Sequence, residues 1–284
     1  MFSLAQRLFG PRHGTRLILP TISCVLIFVV PPWAKARLEK PYSFRAGLQS
    51  SKQLPLKGRE LESLLNGLRF CTGFMELHFD ESGQLQLGDR TRVSRGSNTA
   101  RQLLVAAVES RDSFILEASK HSPVIAFAEI EATDIYIDAM NAKHNVWRVR
   151  LDFSDFAHLR GPDKAVTSFG PALALLHELG HGVLKKDDLL TQADQLGECE
   201  RHMNLIRREL GLPERESYQP RGWKGVSPGS SAESLQAEFR FSMIDEHSNK
   251  KKTFYLAFDV DRVCDVGKIQ SLPPGRAEIF VAMR

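Results

Sequence analysis

Cysteine is scarce: the 284 residues include 4 cysteines, none in a C-x-x-C pair. That excludes a disulfide-stapled scaffold and an all-thiolate zinc site, which both need closely spaced, paired thiols. Cys24 lies inside an apolar leader, which leaves Cys71, Cys199 and Cys264, an odd number that permits at most one internal disulfide. Long apolar runs are missing too. The run Leu17–Val30 has 14 residues, short of the ~20 that a membrane-spanning helix needs. Charge of one sign is not in excess once the leader is set aside. The leader carries four basic residues and no acidic ones, so the remaining chain balances 34 basic against 34 acidic side chains, and the pI of 8.9 largely reflects the leader. No nucleic-acid partner is expected, and Lys250-Lys251-Lys252 reads as a solvated turn. Internal repeats and low-complexity tracts are also absent.

Arg7, Arg12 and Arg16 precede the apolar run, and Ala34-Lys35-Ala36 follows Pro31-Pro32 as a small-x-small cleavage signature. The sequence therefore predicts a signal peptide over 1–36, cleaved after Ala36. A secreted or periplasmic mature chain without a stable membrane span follows, and delivery into a host or rival cell is open to it. Residues 37–66 read as a polar lead-in with a short helical pattern at Leu61, Leu64 and Leu65, 67–220 as the main domain, and 221–284 as a small C-terminal antiparallel β unit. Hydrophobic content of 42% and charged content of 25% are those of an ordinary globular protein with a sizeable core.

Alternation around Phe74–Phe79, the turn Asp80-Glu81-Ser82-Gly83, and Leu85 and Leu87 predict a hairpin. Helical spacing of Leu103, Leu104, Ala107 and Val108 predicts a helix over Asn98–Ser110, with Ser97 as its cap. Short strands are expected at Phe114–Leu116, Val124–Phe127, Ile135–Ile137 and Val146–Phe153. The last could be a sheet edge that aligns a substrate backbone or an internal strand with no such role. A second helix is expected from Asp194 to Leu210, stopped by Gly211-Leu212-Pro213, and a loop over Gly222–Ser231. Leu235–Met243, Phe254–Val260 and Ile279/Val281 supply the C-terminal strands. The fold class is α+β.

The chemistry sits in Pro171–Leu184, PALALLHELGHGVL. His177, Glu178 and His181 form H-E-x-x-H, and on a helix positions i and i+4 share one side, so both imidazoles reach one metal ion. Pro171 suits the first helical position, Ser168 or Gly170 can cap it, and the apolar run Ala172–Leu176 wants burial. Gly182 is expected to loosen the chain just after His181. Glu178, which need not touch the metal, is the general base. A catalytic Zn2+ takes three protein ligands and keeps one position open. The metzincin spacing is excluded, because Leu184 and Asp187 stand where it demands glycine and histidine. The third ligand is then Glu200, with Glu198 as the alternative and Asp187 or Asp188 as outsiders. Asn204 would support a ligating Glu200 from one turn away.

From Pro171 to Tyr218, H-E-L-G-H followed by a helix ending N-x-I-R-R-E-L-G-L-P-x-R-x-x-Y resembles the NleD-type effector metalloproteases and related toxin domains. Their catalytic plan is similar to that of clostridial neurotoxin light chains. The resemblance implies a zincin-like metalloprotease domain, with a mixed sheet, an active-site helix and a following helix. It also implies a protein substrate, and an Arg-x-x-Tyr pair, here Arg215 and Tyr218, that stabilises the developing oxyanion. Met203 directly before Asn204 departs from the family pattern, which often has a glutamate there, and the leader is a second departure. Arg215 and Tyr218 would equally suit a helix end and a loop anchor. Two other functions compete with the peptidase: a zinc-braced binding module, and a non-peptidase metal amidohydrolase of the deformylase kind using Cys71.

Overall fold

The computed structural model describes residues 44–122, 125–188, 196–226 and 233–263. The leader, its cleavage site, Cys264 and the strand expected at Ile279/Val281 lie outside them. The elements follow in order as β1 (Gly47–Ser50), α1 (Gly58–Thr72), β2 (His78–Phe79), β3 (Leu85–Gln86), α2 (Asn98–Val108), β4 (Ser113–Ser119), β5 (Ala128–Ile137) and β6 (Lys143–Asp152). After these come α3 (Phe153–Ala157), α4 (Asp163–Thr167), α5 (Pro171–Leu184), α6 (Glu198–Glu209), β7 (Glu214–Arg215), β8 (Arg221–Val226), β9 (Glu233–Ile244), β10 (Lys251–Asp259) and α7 (Val260–Val263). The chain is mixed α+β, as its alternating patterns imply. No helix among the described residues is long and apolar enough to cross a membrane.

The first sheet is mixed, ordered β1-β4-β6-β5, with β1 and β6 parallel to β4 and β5 antiparallel to β6. Phe114, Ile115 and Leu116 are all buried, as befits a central strand covered on both faces. The strand expected as a possible edge, β6, is paired along both sides, so the free edge falls to β5. The segment expected as a lead-in is part of the sheet: it supplies β1, and Leu48, Leu56 and Leu64 sit in the main core. The boundary expected at 66/67 thus falls inside α1. Strand pairing over Val124–Phe127 is not seen among the described residues there; Phe127 instead has a left-handed φ of 65° just before β5. The hairpin is present as β2–β3, and Ser97 accepts the N–H of Ala100 to cap α2.

A second, antiparallel sheet is ordered β10-β9-β7, with β8 further along the same edge of β9 as β7. Its β8 forms where a loop from Gly222 was expected. This sheet has no self-contained core. Its Phe239, Phe241 and Phe258 pack with Phe127 and with Ala165 of α4, so residues on both sides of the expected 220/221 boundary bury one another.

Helix α5 touches α1, α2, α6, β5 and β6. Pro171 opens it, Gly170 is its N-cap, and Ser168 instead donates to the Lys164 carbonyl to close α4. Close approach explains its glycines. A Cβ on Gly182 would stand 2.5 Å from Phe114 Cε1 and 3.0 Å from Ile130 Cδ1, and one on Gly180 would stand 2.6 Å from Cys199 Sγ. The helix does not loosen at Gly182. It continues to Leu184 and ends at Lys185, whose φ is 53°. The ring of Phe114 is fully buried and cannot give way cheaply. Gly182→Ala should therefore destabilise by about 1–3 kcal/mol through overpacking, despite alanine's higher helix propensity. A lowered denaturant midpoint at unchanged m-value checks this; a raised midpoint would refute the packing account.

Candidate metal centre

On α5 the two imidazoles meet with their Nε2 atoms 3.1 Å apart. Their other nitrogens are engaged. His181 Nδ1 lies 2.6 Å from the Lys186 carbonyl oxygen, and His177 Nδ1 lies 3.4 Å from Glu200 Oε2. In the neutral form of each ring, with Nδ1 protonated toward its oxygen, Nε2 presents its lone pair. A third acceptor joins them: Asp188 Oδ2, 3.1 Å from His177 Nε2 and 3.5 Å from His181 Nε2. That oxygen is buried and makes no hydrogen bond. Asp188 is anchored through its other oxygen, which accepts the Glu200 N–H at 3.1 Å at the start of α6. Gly197 makes room for it, since a Cβ there would stand 1.9 Å from Asp188 Oδ1.

Cys199 completes the cluster. One ligand atom each from His177, His181, Asp188 and Cys199 lies within 4.8 Å of the others, so the group could hold a metal ion. The donor set fits one: two imidazole Nε2 atoms and a buried carboxylate oxygen converge on one place, each a potential ligand once deprotonated. Burial pulls the His177 pKa down, yet Asp188, Cys199 and Glu200 outweigh it and hold it well above the usual value. A cation bound there would take the place of that proton. The Cys199 thiol donates to the His177 carbonyl at 3.1 Å, and burial raises its pKa.

Of the expected third ligands, Glu200 stands behind the ring of His177, on its Nδ1 side. It is ion-paired with Arg207 Nη1 and, at 3.3 Å, with Arg215 Nη1. Burial would raise its pKa, but the two guanidinium groups and His177 hold it well below the usual carboxylate range. Locked there, it orients His177, and the carboxylate beside both Nε2 atoms is Asp188. Glu198 and Asp187 are exposed. Cys71 is buried in the main core and has no place in the cluster.

No protein-family model, curated protein or solved structure matches this chain.

Asn204 exchanges two hydrogen bonds of 2.8 Å with the backbone of Arg215, and also accepts from Arg207 at 2.8 Å. Arg215 is correspondingly occupied. Besides Glu200 it donates to the carbonyls of Ser217 and Tyr218, and its guanidinium lies 4.1 Å from the ring centroid of Phe239. Tyr218 sits over the site, its ring centroid 6.0 Å from that of His177, and burial pushes its pKa up to about 12. Glu178 and Tyr218 both line a cavity of about 130 Å³ beside His177. Burial raises the Glu178 pKa against the pull of His177 and His181, which moves a carboxylate toward the range useful for proton transfer at neutral pH.

Sequence spacing misses Cys199 and places Asp188 only among the outsiders. The only local signal for Asp188 is Gly197, the small residue that its carboxylate presses against. A further buried acid, Asp155 of α3, holds one wall of the cavity by accepting the Phe127 N–H at 2.8 Å. Its other oxygen is buried without a partner. Burial, aided by the charge of Asp152, raises its pKa to about 8 against the effect of that hydrogen bond. In the unfolded chain the same acid ionises near pH 4, so between these values the native state binds the extra proton. Stability should then fall as pH rises from about 4 to 8, by up to roughly 1.4 kcal/mol per pH unit from this group. Asp155→Asn should flatten that decline in a series of denaturant melts, and an unchanged slope would remove Asp155 from the account.

Proposed function

We propose that this protein is an exported zinc endopeptidase with a zincin-like plan, cutting peptide bonds of a protein substrate. The observation that carries the reading is the convergence of two histidine lone pairs and the unpartnered Asp188 oxygen beside a cavity that Glu178 lines. His177, His181 and Asp188 would be the ligands, with Glu200 as the partner that orients His177. Nitrogen and carboxylate donors in this number suit Zn2+. Bound there, it would supply Lewis-acid polarisation of the scissile carbonyl and a more acidic water.

Glu178 takes one proton from the attacking water as the new C–O bond forms, and returns it to the amine nitrogen as the C–N bond breaks. The Tyr218 hydroxyl donates to the carbonyl oxygen while negative charge develops on it. Arg215, committed to Glu200 and to two backbone carbonyls, acts by holding Tyr218. The free edge of β5, whose Ala128 lines the cavity, offers backbone groups to an extended substrate. The leader and the resemblance to NleD-type effector proteases over Pro171–Tyr218 support an exported effector or toxin.

Cys199 favours a second reading, a closed four-ligand site in a binding module. Against it, the thiol hydrogen is spent on the His177 carbonyl, and a closed site has no use for Glu178 in the cavity. Metal analysis separates the two. Cys199→Ala should retain one zinc per chain, Asp188→Ala should lose it, and Glu200→Gln should weaken binding about 10–100-fold, the range for a lost orienting partner. On casein or a lysate, Glu178→Gln should keep zinc while losing ~10² or more in turnover, and Tyr218→Phe roughly 10²–10³. Loss of zinc from Cys199→Ala together with full activity of Glu178→Gln would replace this reading with the binding module.

A further inference from the structure

The cavity beside Glu178 has a chemistry of its own. Its walls are the rings of Phe127, Phe169 and Phe239 with Leu173, Ala174 and Ala128, while His177, Glu178 and Tyr218 border it. The three rings pack on one another, Phe169 at 5.0 Å from Phe127 and 4.7 Å from Phe239 between centroids, so the walls are stiff. Arg207 and Arg215 also reach the lining, but they are 2% and 6% exposed. Their charge is directed at Glu200 and, for Arg215, at the face of Phe239. Neither guanidinium has an open surface on which a carboxylate or phosphate could rest.

Size narrows the occupant. A cavity of about 130 Å³ is close to the ~150 Å³ apolar cavity that accepts a benzene ring. An indole is larger than the ring that such a volume accepts. We infer that this cavity is the specificity pocket of the proposed peptidase and takes the side chain next to the scissile bond, selecting phenylalanine or leucine over acidic residues and tryptophan. The inference rests on the peptidase reading for what enters the pocket, but the pocket's preference does not require turnover.

The test uses neutral amide probes that carry the side chain alone, followed by ligand-observed NMR on the full chain without added zinc. 3-Phenylpropanamide and 4-methylpentanamide should bind. Succinamate, which carries a carboxylate, should show no binding, and 3-(indol-3-yl)propanamide should bind ~10-fold or more weakly, a discrimination within the reach of an apolar pocket. Ala174→Phe fills the pocket and should cost the phenyl probe ~10-fold or more in affinity. Phe169→Ala enlarges it and should make the indole probe bind better than it does to wild type, a gain that misfolding cannot imitate. The inference is overturned if succinamate competes with the phenyl probe, or if Phe169→Ala brings no gain for indole. Those outcomes leave the peptidase reading standing if Glu178-dependent cleavage is observed. A protein that binds the phenyl probe as described yet cleaves nothing would instead fail that reading alone.

Discussion

Glu200 and its two arginines form the constraint on which the site depends. A carboxylate with 1% exposure pays a large desolvation cost, and such a group persists only if its partners are fixed in place. Here Arg207 comes from the next turns of the same helix and Arg215 from the strand after it, and each is tied further. Arg207 Nε donates to the Ser168 carbonyl at 2.9 Å, just ahead of α5. One buried charge thus joins the start of α5, α6 and the edge of the second sheet. His177 is oriented as part of the same set.

The arrangement also explains why the acid one would nominate from helix spacing is not the one beside the Nε2 atoms. A carboxylate shared by two guanidinium groups is a weak donor to a metal, because its lone pairs are already taken up by N–H groups. Asp188 is different. One of its oxygens caps the first turn of α6 and the other is left without a hydrogen bond in a buried place, a state that costs free energy unless something occupies it.

Local patterns made α5, α2 with its Ser97 cap, the β2–β3 hairpin and the long C-terminal strands legible in the sequence. Each depends on periodicity or on a neighbour three or four residues away. His177, Glu178 and His181 belong to that class, since one helical turn sets their geometry. What escaped is non-local. β1 is four residues with little pattern, and it becomes a strand by lying parallel to β4, far along the chain. Residues 44–66 read as part of a lead-in because their apolar positions find partners only in the folded core. Asp188 was weighed only as an outsider because its approach depends on the missing side chain of Gly197, a steric fact that spacing does not encode. Gly182 misled for the same reason: a glycine one residue past a motif looks like a terminator, while here it is a contact surface for Phe114.

The two-residue strand β7 has a mechanical consequence. It pairs with β9 through Glu214 and Arg215, extended by the Glu216 N–H to the Arg240 carbonyl, and the same Arg215 is pinned to α6 through its backbone by Asn204. The second sheet is therefore tied to α6 at Arg215 and is not a free lid over α5. Any rotation of it acts as a lever with its fulcrum at Arg215, and Tyr218, three residues beyond, lies on the short arm. A displacement of the outer strands would reach Tyr218 through that short arm, attenuated.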